Sequence, residues 1–174
     1  MGADDGGTEM RDVPDIALAN VGDGPSPYRV ADRAAAPELD WLVVLFQRDR
    51  YCRNCRRQVR AIADRYDEFV RRHAEVVSVL PESPAVAATW QDAYHLPFPL
   101  LADPGGRVGE RLGQPIRFGR FGERFDLLGR MPLALVFDVR NGATGIAYSH
   151  EGRRPADRPD VDELLREIDV LGAR

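Results

Sequence analysis

Residues 41–60 read WLVVLFQRDRYCRNCRRQVR, and this stretch decides the fold. Trp41 to Phe46 is continuously apolar and rich in Val and Leu, the pattern of a strand covered on both faces. Gln47 to Tyr51 predicts a crossing loop. A helix is then predicted from Cys52 or Arg53 to Arg72. Val59, Ile62, Ala63, Tyr66, Phe69 and Val70 recur at the spacing of one buried stripe. Arg57, Arg60, Asp64, Asp67 and Arg71 fall mostly on the opposite face. A strand feeds the only two cysteines of the chain, and a helix leaves them.

The remaining pattern extends this unit in both directions. Residues 1–14 are rich in Gly and Asp and predict a flexible tail ahead of one domain, 15–174. DIALANV (15–21) reads as extended, and GDGPSP (22–27) as a loop. AEVVSVL (74–80) predicts a second buried strand. Ser83 and Pro84 mark a helix start, with the helix running to about Tyr94. FPLLAD (98–103) is a short extended piece, and PGGRVGERLG (104–113) suggests one or two helical turns. Residues 113–129 form an irregular insert with three phenylalanines. MPLALVFDV (131–139) reads as a strand, Asn141-Gly142 as a hairpin turn, and ATGIAYSH (143–150) as the returning strand. The final helix turns Val161, Leu164, Leu165, Ile168 and Leu171 inward. This order predicts an α/β fold: a central mixed β-sheet with helices on both faces, its early strands parallel and joined by right-handed crossovers.

Composition narrows the function classes. The 174 residues include 44% hydrophobic side chains, which suits a folded core. All 24 basic residues are arginine, yet the formal charge is −4, so no general nucleic-acid footprint is expected. No apolar run approaches the roughly 20 residues of a membrane span, and MGADDGGTEMRDVPD lacks a secretory pattern. The reading is a cytoplasmic protein without membrane contact. In a reducing compartment, a close cysteine pair points to catalysis or metal binding more than to a permanent staple.

The chemistry of Cys52 and Cys55 follows from their placement. At a helix N-terminus, unpaired backbone N–H groups and the helix dipole favour an anion. Six arginines and one acid lie between Arg48 and Arg60. Both effects favour thiolate over thiol. Such settings lower a cysteine pKa from about 8.5 to roughly 3.5–7.5. Across one helical turn, Cys55 can close a disulfide with Cys52. Two other readings stand beside a redox pair. An inert bridge over so short a loop gains only about 2 kcal/mol. A zinc site wants four ligands, and His73, His95 and His150 are scattered.

WLVVLFQRDRYCRNCRRQV, VVSVL and LPFPLLADPGGRVGERLG together resemble the peroxiredoxin-like (AhpC/TSA) branch of the thioredoxin superfamily, over about residues 13 to 150. The resemblance implies a thioredoxin-like fold and a Cys52–Cys55 dithiol cycle reducing hydroperoxides. It implies a thioredoxin-like or small-thiol electron donor, no cofactor and no metal, with homodimers common among relatives. The motif departs from the family pattern. Cys52 stands where a threonine is usual if Cys55 takes the attacking position, and Arg48 stands where a proline is usual. Pro132 occupies about the place of the family's arginine near the thiolate, with Arg130 two residues earlier as a substitute. Tyr51-Cys52-Arg53-Asn54-Cys55 is instead similar to the aromatic-Cys-x-x-Cys loop of thioredoxins, where the first cysteine attacks. Met131-Pro132 then matches their proline before a strand, which is typically cis. The favoured assignment is Cys52 as nucleophile and Cys55 as resolving partner, with Tyr51, Arg130 and Pro132 in support. A protein-disulfide reductase and a non-enzymatic redox-sensing or partner-binding module remain as alternatives.

Overall fold

The computed structural model describes residues 16–117, 129–142 and 145–174. The predicted tail, 1–14, lies outside them, as does the phenylalanine-bearing centre of the insert.

The strands are β1 (Ala17–Asn20), β2 (Tyr28–Arg29), β3 (Trp41–Phe46), β4 (Ala74–Leu80), β5 (Leu100–Ala102), β6 (Ile116–Arg117), β7 (Gly129–Arg130), β8 (Leu133–Asp138) and β9 (Gly145–Glu151). The α-helices are α1 (Val30–Ala34), α2 (Arg53–Asp64), α3 (Tyr66–Val70), α4 (Pro84–Tyr94), α5 (Arg107–Arg111) and α6 (Val161–Gly172). Seven strands form one sheet in the order β2-β1-β5-β4-β3-β8-β9. β3, β4 and β5 run parallel, while β8 lies antiparallel to both β3 and β9. β6 and β7, flanking the centre of the insert, pair antiparallel.

Strand alternation sorts the central residues onto two faces. Trp41, Val43 and Leu45 pack with Val59, Ile62, Trp90, Leu164 and Ile168, under α2, α4 and α6. Leu42, Val44 and Phe46 face the other way, toward Val30, Ala34, Val108 and Leu112 of the α1 and α5 side. β3 is buried at every position because both faces are covered. All five predicted inward positions of α6 are buried. Ser83 caps α4 by accepting the Val86 N–H, and Pro84 occupies its first turn. Asn141 and Gly142 both take positive φ, as the turn signal required, although they sit in a short 3-10 turn rather than a two-residue hairpin.

The long helix predicted to Arg72 is two helices. It breaks at Arg65, whose φ of −127° leaves the helical region. The Arg65 side chain is drawn onto Glu68 and, across to α6, onto Asp162. The break resets the helical phase. Phe69 remains buried, whereas Val70, expected inward, is 56% exposed. Among the described residues, no helix is long and apolar enough to cross a membrane.

A polar cluster closes the core away from the cysteines. Tyr28 is fully buried and donates its hydroxyl to Glu75, which also accepts two bonds from Arg33. Burial, reinforced by Glu75, raises the Tyr28 pKa well above its ordinary value. The same causes push Tyr66 up to about 12. Above pH ~10 the unfolded chain loses these protons while the native protein keeps them, so stability must fall with rising pH there. We expect the urea midpoint to hold from pH 7 to 9 and to drop above pH 10. Tyr28 alone contributes about 1 kcal/mol per pH unit. Tyr28→Phe should lose about 1 kcal/mol at neutral pH and flatten the alkaline decline; an equally steep decline in that variant would contradict the assignment.

Candidate active site

β3 ends at Phe46 and delivers Gln47 and Arg48 into the sheet's edge of the core, both buried. Tyr51 and Cys52 follow on the loop, and α2 begins at Arg53 with Cys52 as its N-cap. Cys52 and Cys55 form a disulfide with Cα atoms 5.2 Å apart, inside the ordinary range. The Cys52 sulfur accepts the Cys55 backbone N–H at 3.2 Å. This bond satisfies one of the donors that a helix start leaves open. The Cys55 sulfur accepts the Arg48 backbone N–H at 3.5 Å.

The two sulfurs differ in access. Cys55 is fully buried and Cys52 is 6% exposed. Cys52 also lines a surface cleft of about 420 Å³ with Arg48, Asp49, Tyr51, Arg53 and Asn54. Tyr51 is 68% exposed and lies under the Arg50 guanidinium at 4.6 Å. The pair therefore sits beneath the surface with one edge reachable.

The guanidinium against the sulfurs belongs to Arg158, in the loop between β9 and α6. One of its terminal nitrogens lies 3.3 Å from the Cys55 sulfur and 3.8 Å from the Cys52 sulfur. The other terminal nitrogen donates to the side-chain oxygens of Gln47 and Gln58, and Nε donates to the Pro155 carbonyl. Gln47 is held in turn: its amide donates to Ser78 of β4, and its backbone oxygen accepts from Gln114. Every one of these partners is neutral. Burial, then the like charges of Arg48 and Arg57, lower the Arg158 pKa to about 10. It stays cationic at neutral pH with no carboxylate bonded to it among the described residues.

Reduction of the disulfide supplies the missing anion. A thiolate beside a guanidinium at 4 Å gains about 4 kcal/mol at an effective dielectric near 20. The backbone N–H groups of Arg48 and Cys55 add charge-assisted bonds to the same sulfurs. The arrangement lowers a thiol's pKa by pairing rather than by desolvation, which acts in the opposite sense.

The other expected site residues are placed as follows. Arg130 sends its guanidinium to the carbonyls of Gly105 and Gly106 and to Glu110, away from both sulfurs. Gly106 has φ +68°, and a Cβ there would lie 2.3 Å from the Arg130 guanidinium carbon. The Arg130 carbonyl does reach the site, accepting from Arg48 Nε at 2.7 Å. Pro132 is buried and follows a trans bond, because the cis peptide among the described residues is Ser26-Pro27. The cis Met131-Pro132 suggested by the thioredoxin-like motif is thus corrected. Pro132 introduces β8, and its carbonyl accepts from Gly152 N, continuing the β8–β9 ladder. His73 and His95 take left-handed backbone at element ends, and His150 bonds Asp157.

A cysteine pair at a helix start, on a thioredoxin-like sheet and beside a half-buried guanidinium, defines a thiol-dependent oxidoreductase. The model of the AhpC/TSA family matches residues 11–122. The chain belongs to the AhpC/TSA family. It is 27% identical over 163 residues to the chloroplastic peroxiredoxin Q of Sedum lineare, covering 90% of this chain and 81% of that protein. It is also 27% identical to the Populus jackii peroxiredoxin Q, over 67% of this chain and half of that one. A selenocysteine-containing peroxiredoxin of Peptoclostridium acidaminophilum is 34% identical over 80 residues, 42% of this chain and 39% of that protein. In fold, the chain is similar to the Mycobacterium tuberculosis peroxidoxin BcpB, with a TM-score of 0.67 at 18% identity, covering 92% of this chain and 94% of that one. It is also similar to the Plasmodium vivax 2-Cys peroxiredoxin, with a TM-score of 0.74 at 15% identity over 94% and 81% of the two chains.

Arg158→Gln should raise the thiol pKa of the reduced pair by about one to two units. Iodoacetamide alkylation at pH 7 should slow about tenfold per unit, with the pH profile displaced to alkali. Arg158→Lys should restore part of the shift, since it keeps charge without the planar fork. An unchanged profile in Arg158→Gln would remove Arg158 from this role.

Proposed function

We propose that this protein is a hydroperoxide-reducing thiol peroxidase in which Cys52 attacks and Cys55 resolves. The observation that carries the assignment is the position of Cys52: the residue lines the surface cleft and keeps slight exposure, while Cys55 is fully enclosed. The Cys52 thiolate attacks the O–O bond of the hydroperoxide. It becomes a sulfenic acid, and the departing alkoxide takes a proton to leave as an alcohol. Cys55 then attacks the Cys52 sulfur, the hydroxyl leaves as water, and the disulfide of the present structure is formed. A thioredoxin-like or small-thiol donor returns the pair to the dithiol by exchange.

The other features are assigned on narrower grounds. Tyr51 borders the cleft and contributes to its mouth. Arg130 and Pro132 act through position, anchoring the segment that precedes β8. Residues 15–174 act as one redox domain. The cytoplasm is the proposed compartment, because a cysteine pair this close serves turnover under reducing conditions; the chloroplast address belongs to the Sedum relative by its own name. Self-association as a homodimer rests on the family resemblance. A protein-disulfide reductase is the second reading, favoured by the first-turn Cys-x-x-Cys with an exposed aromatic before it.

Cys52→Ser and Cys55→Ser, reduced and treated with one equivalent of hydrogen peroxide, separate the roles. Dimedone should trap a sulfenic acid in Cys55→Ser and not in Cys52→Ser. The reverse pattern would exchange the two assignments. The wild-type protein should consume peroxide at the expense of dithiothreitol; turnover of insulin disulfides without peroxide consumption would replace the peroxidase reading by the reductase one.

A further inference from the structure

Beside the disulfide, one face of α2 carries Arg53, Arg56, Arg57 and Arg60, with Arg50 on the preceding loop. Six arginines elsewhere in the fold, Arg33, Arg65, Arg71, Arg72, Arg130 and Arg140, each pair with a carboxylate. Among the described residues, none of the five beside the disulfide makes an ion pair. Their side chains bond neutral groups, while the Arg50 backbone N–H donates to the Glu82 carboxylate. Arg56 donates to the Arg50 carbonyl, Arg57 to the Asn54 side chain and Arg50 to the Tyr51 hydroxyl. Arg60 lies over the Tyr94 ring at 5.8 Å. The guanidinium groups of Arg50, Arg56, Arg57 and Arg60 are thus held by contacts that form no ion pair, in a chain whose formal net charge is −4.

The face is large and continuous with the site. The cleft at Cys52 shares Tyr51 with a second cleft of about 460 Å³ and Arg53 and Asn54 with a third of about 780 Å³, and those two share Arg56 and Tyr94. α2 has 12 residues, so it extends about 18 Å. Asp49 and Asp64 are the acids that line these clefts. Asp49 is engaged with the Tyr51 backbone N–H. A small thiol contacts one end of such a face. Only a polypeptide fills it, and exposed tyrosine with arginine is the composition that anchors protein interfaces.

We infer that this arginine face is the docking surface for an acidic dithiol protein that reduces the Cys52–Cys55 disulfide. The inference rests on the thiol-oxidoreductase reading and names its partner. A donor thiolate, steered by the face, attacks the Cys52 sulfur at the cleft. The Cys52–Cys55 bond breaks, and Cys55 leaves as a thiolate beside Arg158. The donor's second thiol loses its proton and attacks the donor sulfur of the mixed disulfide, releasing Cys52. Two electrons and two protons pass from the donor dithiol, which becomes a disulfide.

The probes are three synthetic Cys-x-x-Cys dithiol peptides flanked by glutamate, glutamine or arginine, with dithiothreitol as a neutral reference. The oxidised full-length protein is mixed with each, and disulfide opening is followed by quenched alkylation and mass spectrometry. At low salt the acidic peptide should react about tenfold faster than the glutamine one, and the basic peptide slowest. The advantage should shrink as ionic strength passes 0.1 M, where screening acts over about 10 Å. Arg60→Gln, about two helical turns from Cys52, should lower the acidic-peptide rate several-fold and leave dithiothreitol reduction unchanged. Arg57→Gln/Arg60→Gln should lower the acidic-peptide rate further. Equal rates for the acidic and glutamine peptides overturn the docking inference, whether or not the face then binds an oligonucleotide or a second copy of the chain. Failure of the redox reading looks different: dithiothreitol would not open the disulfide, or peroxide would not close it again.

Discussion

The site is organised around a half-buried positive charge whose partners in the disulfide form are neutral. Arg158 donates to two glutamine oxygens, one carbonyl and two sulfurs. A guanidinium so placed is costly to bury without an anion. The structure meets part of that cost with hydrogen bonds and leaves the rest to the dithiol state. The oxidised and reduced forms therefore differ in electrostatic satisfaction, and the reduced form gains a thiolate that is paired from the moment it appears. Gln47 links this arrangement to the sheet, since its backbone, amide and carbonyl oxygen are all engaged by β4, Gln114 and Arg158. The precision of the sulfur environment is thus inherited from the β3–β4 pairing.

Much of the scaffold was readable because its determinants are local. Trp41–Phe46 and Ala74–Leu80 are strands covered on both sides, and an unbroken apolar run says so. Ser83-Pro84 states its own helix start, and the α6 stripe has one period throughout. The pair Cys52–Cys55 was legible for the same reason: spacing along one helical turn is a property of the chain alone. The Arg65 break was not legible: the apolar period runs straight through it, and one of the side-chain partners of Arg65, Asp162, lies 97 positions away. Without the break, continuous periodicity places Val70 inward.

Arg158 escaped the sequence reading for a related reason. Nothing in RRPADRPD distinguishes it from the other arginines; only folding brings that loop to the sulfurs. Arg130 had looked the better candidate by its place before a strand. Its guanidinium instead braces the Gly105–Glu110 segment, and the open backbone of Gly106 makes room for it. The charge that the family pattern leads one to seek near β8 reaches the sulfurs from the far side of β9.

The separation of Arg158 from Cys52 is 106 residues. A growing polypeptide therefore exposes its two cysteines long before their guanidinium has been synthesised. Until the loop ahead of α6 is in place, the two sulfurs lack the guanidinium that stands against them in the folded protein. The complete environment of the sulfurs thus joins the two halves of the chain, and a chain cut short before residue 158 would carry the cysteines without it.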